Sequence, residues 1–146
     1  MLTKILVLIC LGSTLFMTGL IWFVQVVHYP LFDRVDQGDF LRYHADHSRL
    51  TTFVVFLPMV FELLSSLVLL ARRPVGIPTS LLWLGAAAAV GSWLSTAFLQ
   101  VPLHGRLGSG FDPIVHSRLV LTNWMRCVTW TGHSIVCLLI VWKMLK

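Results

Sequence analysis

The sequence predicts an all-α integral membrane protein, a bundle of four transmembrane helices with both termini on the cytoplasmic side. Three observations carry that prediction. Four apolar stretches, Ile5–Val27, Thr51–Ala71, Ile77–Val101 and Leu119–Trp142, are each long enough to cross a hydrocarbon core of ~30 Å as a helix. Of the 146 residues 57% are hydrophobic and only 12% charged, too few charges for the surface of a soluble domain of that length. The charges are also divided by sign. Lys4, Arg72, Arg73, Lys143 and Lys146 stand at the termini and the second connection with no acid among them. Arg34, Arg42, Arg49, Arg106 and Arg118 share the other side with Asp33, Asp36, Asp39, Asp46 and Asp112. The positive-inside rule places the acid-free side in the cytoplasm, so the net charge of +5 reports topology rather than affinity for nucleic acid.

The first apolar run exceeds a signal peptide's h-region of ~7–15 residues and ends in Val27-His28-Tyr29-Pro30, which is no cleavage site. It is therefore read as a retained helix, ending near His28 because Pro30 follows. The second helix is expected to begin at Asp39 as N-cap and to run to about Arg73, longer than a span, so that its first turns stand above the membrane. Pro74, Gly76 and Pro78 predict a tight turn. The third helix should end between Gln100 and His104. Asp112 is the expected N-cap of the fourth.

The chain also resembles itself. Gln25-Val26, His28 and His47-Ser48-Arg49-Leu50 mark the first outer corner, and Gln100-Val101, His104 and His116-Ser117-Arg118-Leu119 mark the second. Gln25 and His47 stand 22 positions apart and Gln100 and His116 stand 16, so the first corner is six residues longer. The expected organisation is a single domain over 1–146 built as a tandem repeat of two helical hairpins, about 1–75 and 76–146, related by an axis normal to the membrane.

Helix rise then assigns depths. From the inner ends, His28, His47, His104 and His116 fall ~36–39 Å up their helices, one histidine per helix in one outer layer. His44 lies one turn above His47 on the same face. Imidazole is the commonest metal ligand and suits Zn, Cu, Fe and Ni. His28, His44, His47, His104 and His116 are therefore candidate ligands of a transition metal (Fe, Cu or Zn) or of a haem, with Asp39 and Asp46 as further oxygen donors. The bland alternative is interfacial histidines that cap helix ends and bind water. Arg49 and Arg118 are candidate cofactor-binding residues, positioned for haem propionates or another carboxylate or phosphate.

Beneath that layer Gln25, Thr51, Gln100 and Asn123 form a second polar band at ~28–32 Å, read as interhelical hydrogen bonding, with support of the histidines or a polar substrate pocket as the functional alternative. Near mid-membrane lie Glu62 and His133, with Arg126 two turns above His133. A charge there costs at least ~2.5–3.5 kcal/mol, so Glu62 should face inward and pair with His133, Arg126 or both. Glu62, Arg126 and His133 are the candidate catalytic set, as a proton path, weighed against a structural ion pair. Asn123, Arg126, Trp130, His133 and Cys137 recur at spacings of three and four and predict a bundle-facing stripe. Cys10, Cys127 and Cys137 lie within spans and read as packing groups rather than a disulfide framework. Trp22, Trp124, Trp142, Tyr29 and Tyr43 read as interfacial anchors.

Together these features predict a membrane redox protein whose outer site acts on an apolar or quinone-like substrate. The alternatives are an accessory subunit of a larger membrane complex, or a metal-ion or proton transporter assembled as a homo-oligomer. The expected partner is the lipid bilayer, with a membrane protein partner in the accessory reading. The expected location is a bacterial inner membrane with the histidines facing outward. No nucleic-acid partner and no nucleotide site are expected, because no glycine-rich phosphate loop follows a strand.

Overall fold

Every backbone donor and acceptor in a hydrocarbon medium must be satisfied within the chain, which leaves helices as the solution for four separate apolar runs. The computed structural model describes residues 1–146 and contains helices and turns but no strand. Its four helices are α1 (Leu2–Arg34), α2 (Gln37–Ala71), α3 (Thr79–Leu107) and α4 (Pro113–Met144), each long and apolar enough to cross a membrane. They alternate in direction, and each packs on its neighbours in the order α1, α2, α3, α4 and back to α1. The end carrying both termini is called terminal below, and the opposite end distal.

The helix ends follow local chemistry. The Asp112 carboxylate accepts hydrogen bonds from the Ile114 and Val115 N–H groups at 2.8 and 3.1 Å, which caps α4 as expected, and Pro113 takes the first position, where no donor is needed. Between α2 and α3 Gly76 has φ +77, the left-handed backbone that a turn from Pro74 to Ile77 requires. The expected cap of α2 is corrected by three residues: the helix begins at Gln37 with Asp36 in the cap position, and Asp39 lies in its first turn.

α1 departs further from expectation. It does not stop at His28. The Tyr29 N–H reaches the Val24 carbonyl five residues back, a π turn over Val24–His28, and a 3₁₀ segment Pro30–Arg34 continues the helix. Pro30 opens that segment, where its missing N–H breaks no intrahelical bond. α3 carries a matching π turn over Thr96–Gln100 before it runs on to Leu107. Each π turn inserts one residue and so rotates everything beyond it by roughly 100° around the helix.

The exterior is apolar: Phe53, Phe98, Leu121 and Val128 are each at least 70% exposed. Polar side chains are instead buried, among them Gln25, Glu62, Asn123, Arg126 and His133. That inversion is what a lipid solvent demands. Two apolar clusters pack the interior, one around Met17, Phe32, Leu119 and Trp130 and one around Val7, Leu69, Leu82 and Ile140.

Candidate functional site

At the distal end three helices deliver four histidines to one place. His28 from α1 and His47 from α2 touch through Nε2 and Nδ1 at 2.7 Å. His44 from α2 and His104 from α3 touch through Nε2 and Nδ1 at 3.0 Å. The two pairs are joined by His47 and His104, whose ring centres are 5.3 Å apart. His44 belongs fully to this group. His44 and His47 are i, i+3 on α2 and so share a face.

His116 does not join them. Phe32, fully buried, stands between: its ring centre is 5.0 Å from that of His47 and it stacks on His116 at 6.1 Å. The His116 Nε2 lies 2.7 Å from the Tyr29 carbonyl and donates to it. His47 and His116 open matching four-residue motifs, yet one meets imidazoles and the other pins the α1 backbone.

Two residues that the sequence placed elsewhere complete the site. Tyr29 is buried at its centre rather than anchored at an interface, with its hydroxyl 2.8 Å from His104 Nε2. The π turn causes this, because it rotates Tyr29 inward where regular helix would present His28. Arg126 reaches up from α4 and donates to the Tyr29 hydroxyl at 3.0 Å. Its Nε and Nη2 also hold the Asn123 side-chain oxygen. Asn123 donates in turn to Gln25 at 2.8 Å. Arg126 is 8% exposed and forms no salt bridge. A guanidinium so placed has no counter-anion within the protein.

A cavity of about 500 Å³ lies here between α2 and α3. Tyr29, His44, His47, Gln100, His104 and Arg126 form its inner wall. Exposed Ala45, Thr52, Val101 and Gly105 border its mouth, so it opens sideways between the two helices. The Ser48 hydroxyl also borders it and is buried without a hydrogen-bond partner. Small residues at 45, 105 and 108 leave the space between the helices unfilled here. Below, the Trp93 indole donates to the Met59 carbonyl at 3.2 Å and ties α3 to α2.

The remaining expected site residues lie elsewhere. Arg49 is 75% exposed and pairs with Asp46 at 3.1 Å. Arg118 is exposed, as is Asp39. None of these lines the cavity, so its wall holds imidazoles, a guanidinium, hydroxyls and the Gln100 amide but no carboxylate.

Glu62 and His133 form a separate unit nearer mid-height. His133 Nδ1 and Glu62 Oε1 are 2.6 Å apart, and both side chains are buried. The other carboxylate oxygen accepts from the Trp130 indole at 2.7 Å, and the Thr14 hydroxyl donates to the first at 3.4 Å. Of the two expected partners, Glu62 takes His133 and not Arg126. No hydrogen bond joins this unit to Arg126. Met17, Ile21, Met59 and Cys127 occupy the interior between them. The three residues expected as one catalytic set therefore divide between two layers.

Comparison of the chain with protein-family models, curated proteins and solved structures found no match.

Proposed function

We propose that this chain is a membrane metalloprotein that carries out redox chemistry on an apolar, quinone-like substrate at its distal end. The observation that carries the reading is the meeting of His44, His47 and His104 with an unpaired buried guanidinium on the inner wall of a side-opening cavity, with His28 behind them on His47. Two nitrogens bound to one tetrahedral ion at ~2.0 Å stand ~3.3 Å apart. The His28–His47 and His44–His104 pairs, at 2.7 and 3.0 Å, need open by about 0.6 and 0.3 Å to reach that spacing. An all-imidazole set favours Fe, Cu or Zn over the hard cations. A metal ion fits better than haem, because the imidazole pairs are in contact and leave no gap for a macrocycle.

The cavity supplies the substrate's path. An apolar molecule enters from lipid between α2 and α3, and its oxygen meets Arg126 and the Tyr29 hydroxyl. Arg126 would stabilise negative charge on that oxygen, since no carboxylate competes for it. Tyr29 bridges Arg126 to His104 and can pass a proton between substrate and imidazole. In this reading both termini lie in the cytoplasm of a bacterial cell and the histidines face outward. The hairpins 1–75 and 76–146 are a duplicated unit, which the paired π turns in α1 and α3 support.

The test is elemental analysis of untagged protein in mild detergent, followed by binding of a short-tailed benzoquinone. The expected result is near-stoichiometric metal, lost in His47→Ala and His104→Ala and kept in His116→Ala. Arg126→Gln should retain the metal and bind the quinone at least ten-fold more weakly. Metal-free wild-type protein that copurifies with a stoichiometric membrane partner would instead establish the accessory-subunit reading.

A further inference from the structure

A second set of donors lies below Glu62, and it shares no residue with the distal site. Cys10 from α1 and Cys137 from α4 bring their sulfurs to 3.6 Å, with both residues buried and both thiols free. His133 Nε2 is 3.8 Å from the Cys10 sulfur. The three donor atoms all lie within 4.8 Å of one another.

We propose that Cys10, Cys137 and His133 form a metal site for a thiophilic ion, Zn²⁺ or Cu⁺, inside the terminal half of the bundle. Bonds of ~2.3 Å to sulfur and ~2.0 Å to nitrogen place neighbouring ligands of a tetrahedral ion ~3.5–3.8 Å apart. The observed S–S and S–N separations of 3.6 and 3.8 Å lie within about 0.3 Å of those edges. Two thiolates and an imidazole are the soft donors that select Zn and Cu(I).

The orientation of His133 is the independent support. Glu62 engages its Nδ1 at 2.6 Å, which turns Nε2 toward the two sulfurs. A carboxylate behind a histidine in this way fixes the ring and its tautomer and raises its basicity toward a metal. Glu62 is anchored in its own right by the Trp130 indole. The Ser66 hydroxyl lies 3.3 Å from the Cys10 sulfur and 3.4 Å from His133 Nε2, where a fourth ligand belongs. A void of about 10 Å³ borders Cys10, Ser66, His133 and Cys137.

Binding a divalent ion releases the two thiol protons, and the resulting thiolates neutralise its charge. Glu62 keeps its donors from Trp130, Thr14 and His133 Nδ1. Cys10 is six residues from Lys4, and Cys137 is six from Lys143. The site is therefore ~9 Å along either helix from the terminal surface, which sets its entry side.

The experiment is a Co²⁺ titration of the reduced, untagged protein in detergent, read by thiolate-to-cobalt charge-transfer absorption. That band is silent to the all-nitrogen distal site. One equivalent should develop the band in the wild type, in Cys127→Ser and in the His47→Ala/His104→Ala variant, and it should be absent in Cys137→Ser. Glu62→Gln should weaken binding about 10–100-fold. Bound Co²⁺ should protect Cys10 and Cys137, but not Cys127, from alkylation mapped by mass spectrometry; this readout needs no substitution. No band in the reduced wild type, a band that persists in Cys137→Ser, or unprotected Cys10 and Cys137 would each overturn the proposal. So would a Cys10–Cys137 disulfide that re-forms in preference to binding cobalt.

Discussion

At the distal end three imidazoles and a guanidinium face a cavity of about 500 Å³ with no carboxylate among them, and a fourth imidazole, His28, backs His47. At mid-height one imidazole meets a carboxylate at 2.6 Å, closed in by Trp130 and Thr14, with only a void of about 10 Å³ alongside. The same residue type thus occurs in two states of completion. Glu62 and His133 satisfy each other inside the chain, as a pair must where lipid supplies no water. The distal guanidinium, Arg126, faces open space in place of a counter-charge. That difference separates a layer whose polar groups are mutually satisfied from one whose charge still lacks its partner.

The largest expected effect breaks the satisfied layer. Glu62→Leu leaves His133 and the Trp130 N–H without their acceptor and should destabilise the protein by about 3–5 kcal/mol in a denaturant titration in detergent micelles. Glu62→Leu combined with His133→Leu should recover most of that loss, because the penalty belongs to the orphaned partner rather than to the missing pair. A double variant as unstable as the single would show that the pair contributes more than mutual neutralisation.

A smaller effect sharpens the boundary between the layers. Asn123→Leu removes the link between Gln25 and Arg126 and should cost about 0.6–1.7 kcal/mol by the same titration. It should also release Arg126 from its fixed position, so the distal quinone affinity falls while mid-height stability to Glu62 substitution is unaltered. The smallest effect lies outside both layers. Arg49→Gln and Arg118→Gln should each change stability by less than about 0.5 kcal/mol and leave metal content as in the wild type. Loss of metal in either would return these arginines to the site.

Much of the architecture was legible because it depends on composition and period. The Asp112 cap, the turn at Gly76 and the inward stripe of α4 follow from residue chemistry within a few positions. The depth of the histidines followed from helix rise. What did not follow was rotation about the helix axis. The π turn at Val24–His28 moves Tyr29 into the bundle, and a regular helical period contains no sign of it. Phe32, read only as part of a connection, separates His116 from the other rings. Arg126 reads along α4 as a neighbour of His133, but its long side chain extends toward the distal end and joins Tyr29. Cys10 and Cys137 are 127 positions apart, and no local pattern ties them together.

The sequence by itself determined that the chain forms four helices apolar and long enough to cross a membrane, which ends carry charge, and which residue types lie at each height along them. These are one-dimensional properties, set by hydropathy and a fixed rise per residue. The tertiary structure alone decided which histidines meet, which cation lacks a partner, and that two thiols share a histidine. Those outcomes depend on how each helix is rotated against its neighbours, and packing together with an inserted residue sets that rotation.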